Sequence, residues 1–93
     1  MGQDFVLVRT FSAGVHCGFL VERDGKEVRL SHARRIWRWS GANSLNEISL
    51  YGVSQNYTRI SEAVIDLVLT EAIEIIICTD VAKENLQRSR WEL

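Results

Sequence analysis

Residues 15–30, VHCGFLVERDGKEVRL, decide the fold, because they place two extended segments on either side of a turn dipeptide. The segment Val15–Arg23 resumes extended character after Gly14, and Asp24-Gly25 tolerates the positive φ angles of a tight hairpin turn. In the returning segment Lys26–Leu30, apolar and charged residues alternate, which is typical of a strand with one solvated face. The stretch therefore predicts an antiparallel β-hairpin.

Further strands are predicted on both sides of this hairpin. Asp4–Thr10 contains the run FVLV and is predicted to be a strand buried on both faces. Ser31–Trp39 is predicted as the fourth strand in chain order. The segments Val64–Leu69 and Ile73–Cys78 are dense in β-branched residues, which lower helix propensity and suit strands, and they predict a strand pair.

Two helices are indicated by their N-terminal capping residues. Ser44 followed three positions later by Glu47 forms a capping box, and it predicts a short helix over Leu45–Tyr51. Thr79 can cap a last helix from Asp80 to about Arg88, with an acid at its positive end and a base at its negative end.

The length of 93 residues allows only one hydrophobic core, which predicts a single domain over residues 1–93. The apolar fraction of 46% and the interspersed charged residues are ordinary for a chain that folds. The predicted fold class is α+β: a small, mainly antiparallel β-sheet or partly open barrel with a short middle helix and a C-terminal helix.

The formal net charge of −1 hides an uneven distribution of charged residues. A basic stretch without acids contains Arg29, Arg34, Arg35 and Arg38, whereas residues 61–80 contain five acids and no base. This pattern allows a local anion site but does not indicate a protein-wide nucleic-acid surface. No segment is long and apolar enough to span a bilayer, and Met1-Gly2-Gln3-Asp4 lacks the basic segment of a signal peptide, so we expect a cytoplasmic protein that does not contact a membrane.

The residues needed for catalysis or metal binding are scarce. The chain has two histidines, His16 and His32, and neither has a second metal ligand at a recognisable spacing. His16 is adjacent to Cys17 and would point to the opposite face of a strand, which argues against a Cys–His dyad. Cys17 and Cys78 lie among apolar residues and are interpreted as buried thiols. The sequence therefore predicts a protein that is not an enzyme and has no metal and no cofactor.

The strongest candidate site is the predicted strand Ser31–Trp39, in which arginines alternate with aromatic residues. Guanidinium groups can form paired hydrogen bonds with phosphate or carboxylate, and indole rings can stack on a base. Strict alternation would put Trp37 and Trp39 on one face with Arg35. The predicted ligand-binding residues in this segment are His32, Arg34, Arg35, Trp37 and Trp39.

A second candidate lies in the segment between the first two predicted strands. Thr10, Ser12 and the backbone at Ala13-Gly14 can form a turn that presents N–H groups to an anion. A structural interpretation stays open for both segments: the tryptophans can be core residues, the arginines can be solvated or paired with the acidic residues 61–80, and the turn can simply join two strands.

Three stretches resemble a family of small proteins encoded by tailed phages and prophages: VRTFSAGV at residues 8–15, ARRIWRW at 33–39 and LTEAIEI at 69–75. The resemblance covers nearly the whole chain and is weakest between Gly52 and Ser61. That family has no assigned activity, so the resemblance implies no catalytic residues. It implies a phage accessory protein that acts in the host cytoplasm.

Together, the arginine-rich strand and this resemblance lead to one functional hypothesis. The protein is expected to be a non-enzymatic oligomer that binds an anionic, nucleotide-like small molecule and thereby sequesters a host antiviral signalling nucleotide. The alternative is a module that interacts with a host protein or a nucleic acid and modulates host machinery. Self-association is expected because strands with exposed edges in so small a chain gain buried apolar area when a second copy covers them.

Overall fold

The computed structural model describes residues 3–91. Met1 and Gly2, which entered the argument about a signal peptide, lie outside the described residues, as do the last two residues of the predicted domain 1–93. The elements in chain order are β1 (Phe5–Thr10), β2 (Val15–Asp24), β3 (Glu27–Arg38), α1 (Leu45–Tyr51), β4 (Arg59–Ile60), β5 (Val64–Leu69), β6 (Ala72–Ile77) and α2 (Asp80–Arg88). The predicted α+β class is confirmed.

The strands form one antiparallel sheet in the order β4-β3-β2-β1-β6, and β5 also pairs with β3. β5 and β6 are nearly continuous in sequence, yet within residues 3–91 they do not pair with each other. β5 pairs with β3, whereas β6 pairs with β1. The segment from β5 to β6 therefore links the two sides of a curled sheet, and the sheet does not close into a barrel.

The third and fourth predicted strands are one continuous strand, β3. Its pairing with β2 shifts register between Cys17 and Phe19 and again between Leu20 and Glu22, and such bulges bend a hairpin. A Cβ at Gly18 would lie 3.0 Å from the carbonyl oxygen of Ser31 and 3.1 Å from the Cα of Ala33, so glycine lets the two backbones approach closely. His32 has a φ of +50°, a backbone conformation that interrupts the regular alternation of β3.

The sheet has a hydrophobic cluster on each face, and β1 contributes to both. We call the cluster that includes residues of α1 and α2 the helix-side core; its buried members are Phe5, Leu7, Cys17, Ile36, Ile48, Val53, Ile60 and Leu86. The other cluster lies on the concave side of the curled sheet and consists of Val6, Val8, Val28, Leu30, Ala33, Leu69 and Ala72. This arrangement confirms the prediction that the first strand is buried on both faces.

Both helices begin where their capping residues indicate. The Ser44 hydroxyl accepts a hydrogen bond from the Glu47 amide at 3.3 Å, and the Thr79 hydroxyl accepts one from the Ala82 amide at 3.1 Å. The Glu47 carboxylate reaches back to the Asn43 amide at 3.3 Å, one residue earlier than in a standard capping box. Neither helix of the described residues has the length and apolar character needed to cross a membrane.

Candidate functional site

A β-bulge near the end of β3 determines which side chains of the arginine-rich segment lie together. Ile36 pairs with Ile60. Regular pairing would then join Trp37 to Arg59, but it is Arg38 that pairs with Arg59. Trp37 and Arg38 therefore both lie opposite Arg59, since two residues of the bulged strand face one residue of its partner. Ile36 and Ile60 point into the helix-side core, so the residues next to them project from the other face of the sheet.

The bulge separates the two tryptophans that alternation would have put together. Trp37 is 60% exposed on the face away from the helices. Trp39 is half-buried, packs against the helix-side core and donates its indole N–H to the Ala42 carbonyl at 3.2 Å. The prediction that Trp37 and Trp39 share one face is wrong, because the extra residue at the bulge shifts the alternation by one position.

Arg34 uses its guanidinium within the fold. Burial lowers the pKa of this group, but the backbone around it compensates with hydrogen bonds. Its five N–H groups donate to the backbone carbonyls of Ser61 (2.7 Å), Leu86 (2.8 Å), Gln87 (3.1 Å), Ile60 (3.4 Å) and Ser89 (2.5 Å). Three of these carbonyls lie at the C-terminal end of α2, where a cation is favourable. Arg34 thus links β3 to α2, and no N–H of its guanidinium is left for a ligand.

Arg35 lies on the opposite face and is exposed. Its guanidinium carbon lies 5.9 Å from the centre of the Trp37 ring, a cation–π distance. A Cβ at Gly14 would be 3.3 Å from Nη2 of Arg35, so the guanidinium also packs against the turn between β1 and β2. Within residues 3–91, Arg35 forms no ion pair. The two predicted candidate segments therefore meet at Arg35 and Gly14.

The hydroxyl groups of the turn are used to build it. Thr10 is buried; its hydroxyl donates to the Gly14 carbonyl at 2.8 Å and accepts from the Ala13 amide at 2.8 Å. The Ser12 hydroxyl donates to the Glu71 carboxylate at 2.5 Å, which ties the turn to the corner between β5 and β6. Thr10 and Ser12 thus hold the turn that contacts Arg35.

The two histidines lie in different places. His16 pairs in register with Arg35 and is buried; its Nε2 lies 2.9 Å from the Ala13 carbonyl, and its Nδ1 has no partner. Burial lowers the pKa of His16, and the charge of Arg35 acts in the same direction. His32 is exposed and packs edge-on against Phe19, 6.1 Å between ring centres, in a shallow groove next to Arg34. His32 is therefore not next to Arg35.

One of the basic residues does pair with the acidic segment. Arg29 forms an exposed ion pair with Asp66 of β5, with 3.3 Å between Nε and Oδ1. Arg38 is exposed and, like Arg35, has no ion-pair partner among residues 3–91. Arg29 thus pairs with the acidic segment, whereas Arg35 and Arg38 are solvated, which the structural interpretation also allows.

Sequence reasoning missed a second arginine–tryptophan pair beside the first. Arg59 of β4 lies over Trp91 with 5.6 Å between its guanidinium carbon and the ring centre, and the two residues form an isolated β-bridge. β4 has only two residues within a polar segment, so its sequence carries no strand pattern. We call the group on this face the arginine–tryptophan surface; its members are Arg35, Trp37, Arg38, Arg59 and Trp91.

The arginine–tryptophan surface offers cationic groups and exposed aromatic rings, but no nucleophile or base. In the part of the chain that the structure describes, no three His, Cys, Asp or Glu side chains come together as metal ligands would. Fixed guanidinium groups next to exposed indoles can hold an anion and stack on a planar ring. By its chemistry, this surface fits an anionic, ring-bearing molecule.

Comparisons with known proteins place the chain in a family without assigning it an activity. No curated protein and no solved structure matches it. A family model described as a domain of unknown function, DUF6948, matches residues 3–86, which include β1 to β6 and most of α2. This chain is therefore a member of the DUF6948 family.

Proposed function

We propose that the protein is a non-enzymatic binding protein for an anionic, nucleotide-like small molecule, which it holds on the arginine–tryptophan surface. One observation carries the proposal: the guanidinium of Arg35 lies over the indole of Trp37, which is 60% exposed. This guanidinium has no ion-pair partner among the described residues. Arginines that serve only the fold, such as Arg34, have their donors bonded to protein acceptors.

The position of Arg35 is fixed by its surroundings. The Trp37 ring lies on one side of the guanidinium and the turn at Gly14 approaches it from β2. Because the backbone amide and carbonyl of Arg35 bond with Ser61 at 2.8 and 2.9 Å, the strand itself is also held. A held guanidinium loses less conformational entropy when it binds a phosphate, which favours binding.

The biological role we propose follows from the resemblance to small phage proteins. A protein that binds a nucleotide without converting it lowers the free concentration of that nucleotide. For a phage accessory protein in the host cytoplasm, the useful target is a signalling nucleotide of antiviral defence.

The test is calorimetric titration with AMP, a phosphate that carries one base. Arg35→Ala should weaken binding roughly ten- to hundredfold, because a charge-assisted contact contributes about 1.5–3 kcal/mol. Arg29→Ala is the matched control: it removes an exposed arginine of the same strand, roughly 20 Å away, and should leave the affinity unchanged. Native mass spectrometry of protein purified from cells shows whether a nucleotide co-purifies.

Two results would contradict the proposal. One is an unchanged AMP affinity in a folded Arg35→Ala variant, which would make the surface a solvated part of the sheet. The other is absence of AMP binding together with salt-sensitive retention on single-stranded DNA, which would favour the alternative of a nucleic-acid interaction module.

Self-association is the second part of the proposal. β6 lies at an edge of the sheet and, among the described residues, pairs only with β1. Its side chains Ile73 and Ile77 are 49% and 63% exposed, and Ile65 on β5 is 73% exposed. A strand edge with exposed isoleucines favours pairing with another strand, and a second copy of this chain carries the same edge.

A further inference from the structure

The second arginine–tryptophan pair repeats the chemistry of the first on the neighbouring strand. Arg59 stacks over Trp91, as Arg35 stacks over Trp37, and the indole of Trp91 is 47% exposed. A single mononucleotide has one base and can use one of these platforms. Two platforms of the same kind on one face indicate a ligand with two rings.

The backbone fixes the separation of the two platforms. Arg38 pairs with Arg59 across the bulge, and Arg59 in turn bridges to Trp91, so three neighbouring chain segments carry Trp37, Arg59 and Trp91 side by side. Adjacent strands lie about 4.8 Å apart, which separates the segments of Trp37 and Trp91 by roughly 10 Å. That span is within reach of two bases joined through one phosphate and not of a single base.

The charges between the two rings match such a ligand. Arg38 follows Trp37 at the bulge and pairs with Arg59, so it borders both platforms. It is exposed and has no ion-pair partner among residues 3–91. A cation in this position can bond the phosphate that links the two nucleosides.

We infer that the ligand of the arginine–tryptophan surface is a dinucleotide, with one base on Trp37, the second on Trp91 and the linking phosphate on Arg38. This inference rests on the proposed function, since it specifies the ligand class of the same surface. It predicts that a dinucleotide gains a second stacking contact that a mononucleotide lacks, a gain of roughly tenfold or more in affinity.

The experiment compares AMP, the linear dinucleotide pApA, cyclic di-AMP and a twelve-residue oligodeoxyadenylate by calorimetry. At least one of the two dinucleotides should bind at least tenfold more tightly than AMP. Trp91→Ala should remove that advantage by weakening the dinucleotide more than AMP, and Trp91→Phe should restore part of it because a ring is retained. Circular dichroism establishes that each variant is folded.

The outcomes separate the dinucleotide from the more general proposal. Two outcomes would overturn the dinucleotide while AMP binding still depends on Arg35, which leaves the proposed function standing. One is that neither dinucleotide binds more tightly than AMP, and the other is that Trp91→Ala weakens all ligands equally. Binding of the oligodeoxyadenylate that exceeds both dinucleotides and falls steeply with salt overturns it in favour of a single-stranded nucleic acid. No binding of any probe overturns both.

Discussion

Arg34 and Arg35 are adjacent in β3, yet their guanidinium groups lie on opposite sides of the sheet. Arg34 donates to five carbonyls on the helix side, whereas Arg35 stacks on Trp37 on the other side. The same residue type therefore serves the fold at one position and is free to meet a ligand at the next, and the two roles can be separated by mutation.

Arg34→Ala is expected to lower the free energy of unfolding by on the order of 3 kcal/mol, because it leaves several backbone carbonyls without their charged donor. Arg34→Lys should recover only part of the loss, since an ammonium cannot reproduce the planar fork. Arg35→Ala should cost less than about 0.5 kcal/mol. Urea denaturation measures all three, and equal costs at the two positions would refute the division of roles.

A second structural contact links the end of α1 to α2. The buried Asn85 side chain donates to the Val53 carbonyl at 2.9 Å and accepts from the Val53 amide at 2.8 Å. Asn85→Ala should cost about 2 kcal/mol of unfolding free energy, because both backbone groups lose their partner. Glu84→Ala on the exposed face of α2 is the control. A similar loss of unfolding free energy in the two variants would show that it comes from helix packing in general and not from this contact.

The sequence predicted the elements whose signals are local. The capping residues Ser44 and Thr79 act over three or four neighbouring residues and are found where they were expected. The hairpin turn forms with Gly25 at positive φ as expected, but its two residues are Gly25-Lys26, one position later than the predicted Asp24-Gly25. The density of β-branched residues correctly favoured strands over helices for residues 64–77. The prediction that the two segments form a strand pair is wrong, because β5 pairs with β3 and β6 pairs with β1.

The candidate site was predicted only in part, because its composition depends on long-range pairing. The bulge at Trp37 exists because a two-residue strand, β4, lies beside β3, and no local pattern marks that strand. The same pairing brings Trp91 next to Arg59 from a distant part of the chain. Arg34 could not be told from Arg35 by sequence, since alternation alone does not say which face carries a helix.

Acid should destabilise the protein through His16. Burial lowers the pKa of His16 in the folded state below the unfolded value of about 6.5, so folding favours the neutral imidazole. The contribution of neutral His16 to the free energy of unfolding is therefore complete above about pH 6.5 and is lost progressively as the pH falls. Urea denaturation between about pH 7 and about pH 5 should show a steeper fall for the wild type than for His16→Gln. Parallel pH dependences would show that other groups cause the acid sensitivity.

The cysteines should be unreactive in the native state. Burial raises the pKa of Cys17 to about 12 and that of Cys78 to about 11, so neither forms a thiolate readily near neutral pH. Both should react with Ellman's reagent far more slowly than in concentrated guanidinium chloride, and half-buried Cys78 should react first. Replacing both with Ala should leave AMP binding unchanged. Loss of binding in a folded double variant would instead indicate a functional thiol.

The exposed strand β6 is expected to mediate self-association, so sedimentation velocity at tens of micromolar should show a dimer or a larger oligomer. The double variant Ile73→Lys, Ile77→Lys should shift the protein to monomer, because charged side chains on a strand edge oppose pairing with a second strand. Val81→Lys is the control: Val81 is 65% exposed on α2, and its replacement should leave the oligomer intact. A wild-type protein that is monomeric throughout this concentration range would contradict self-association. An oligomer that persists in the double variant would move the interface away from β6, to the exposed residues of β5 or to the arginine–tryptophan surface itself.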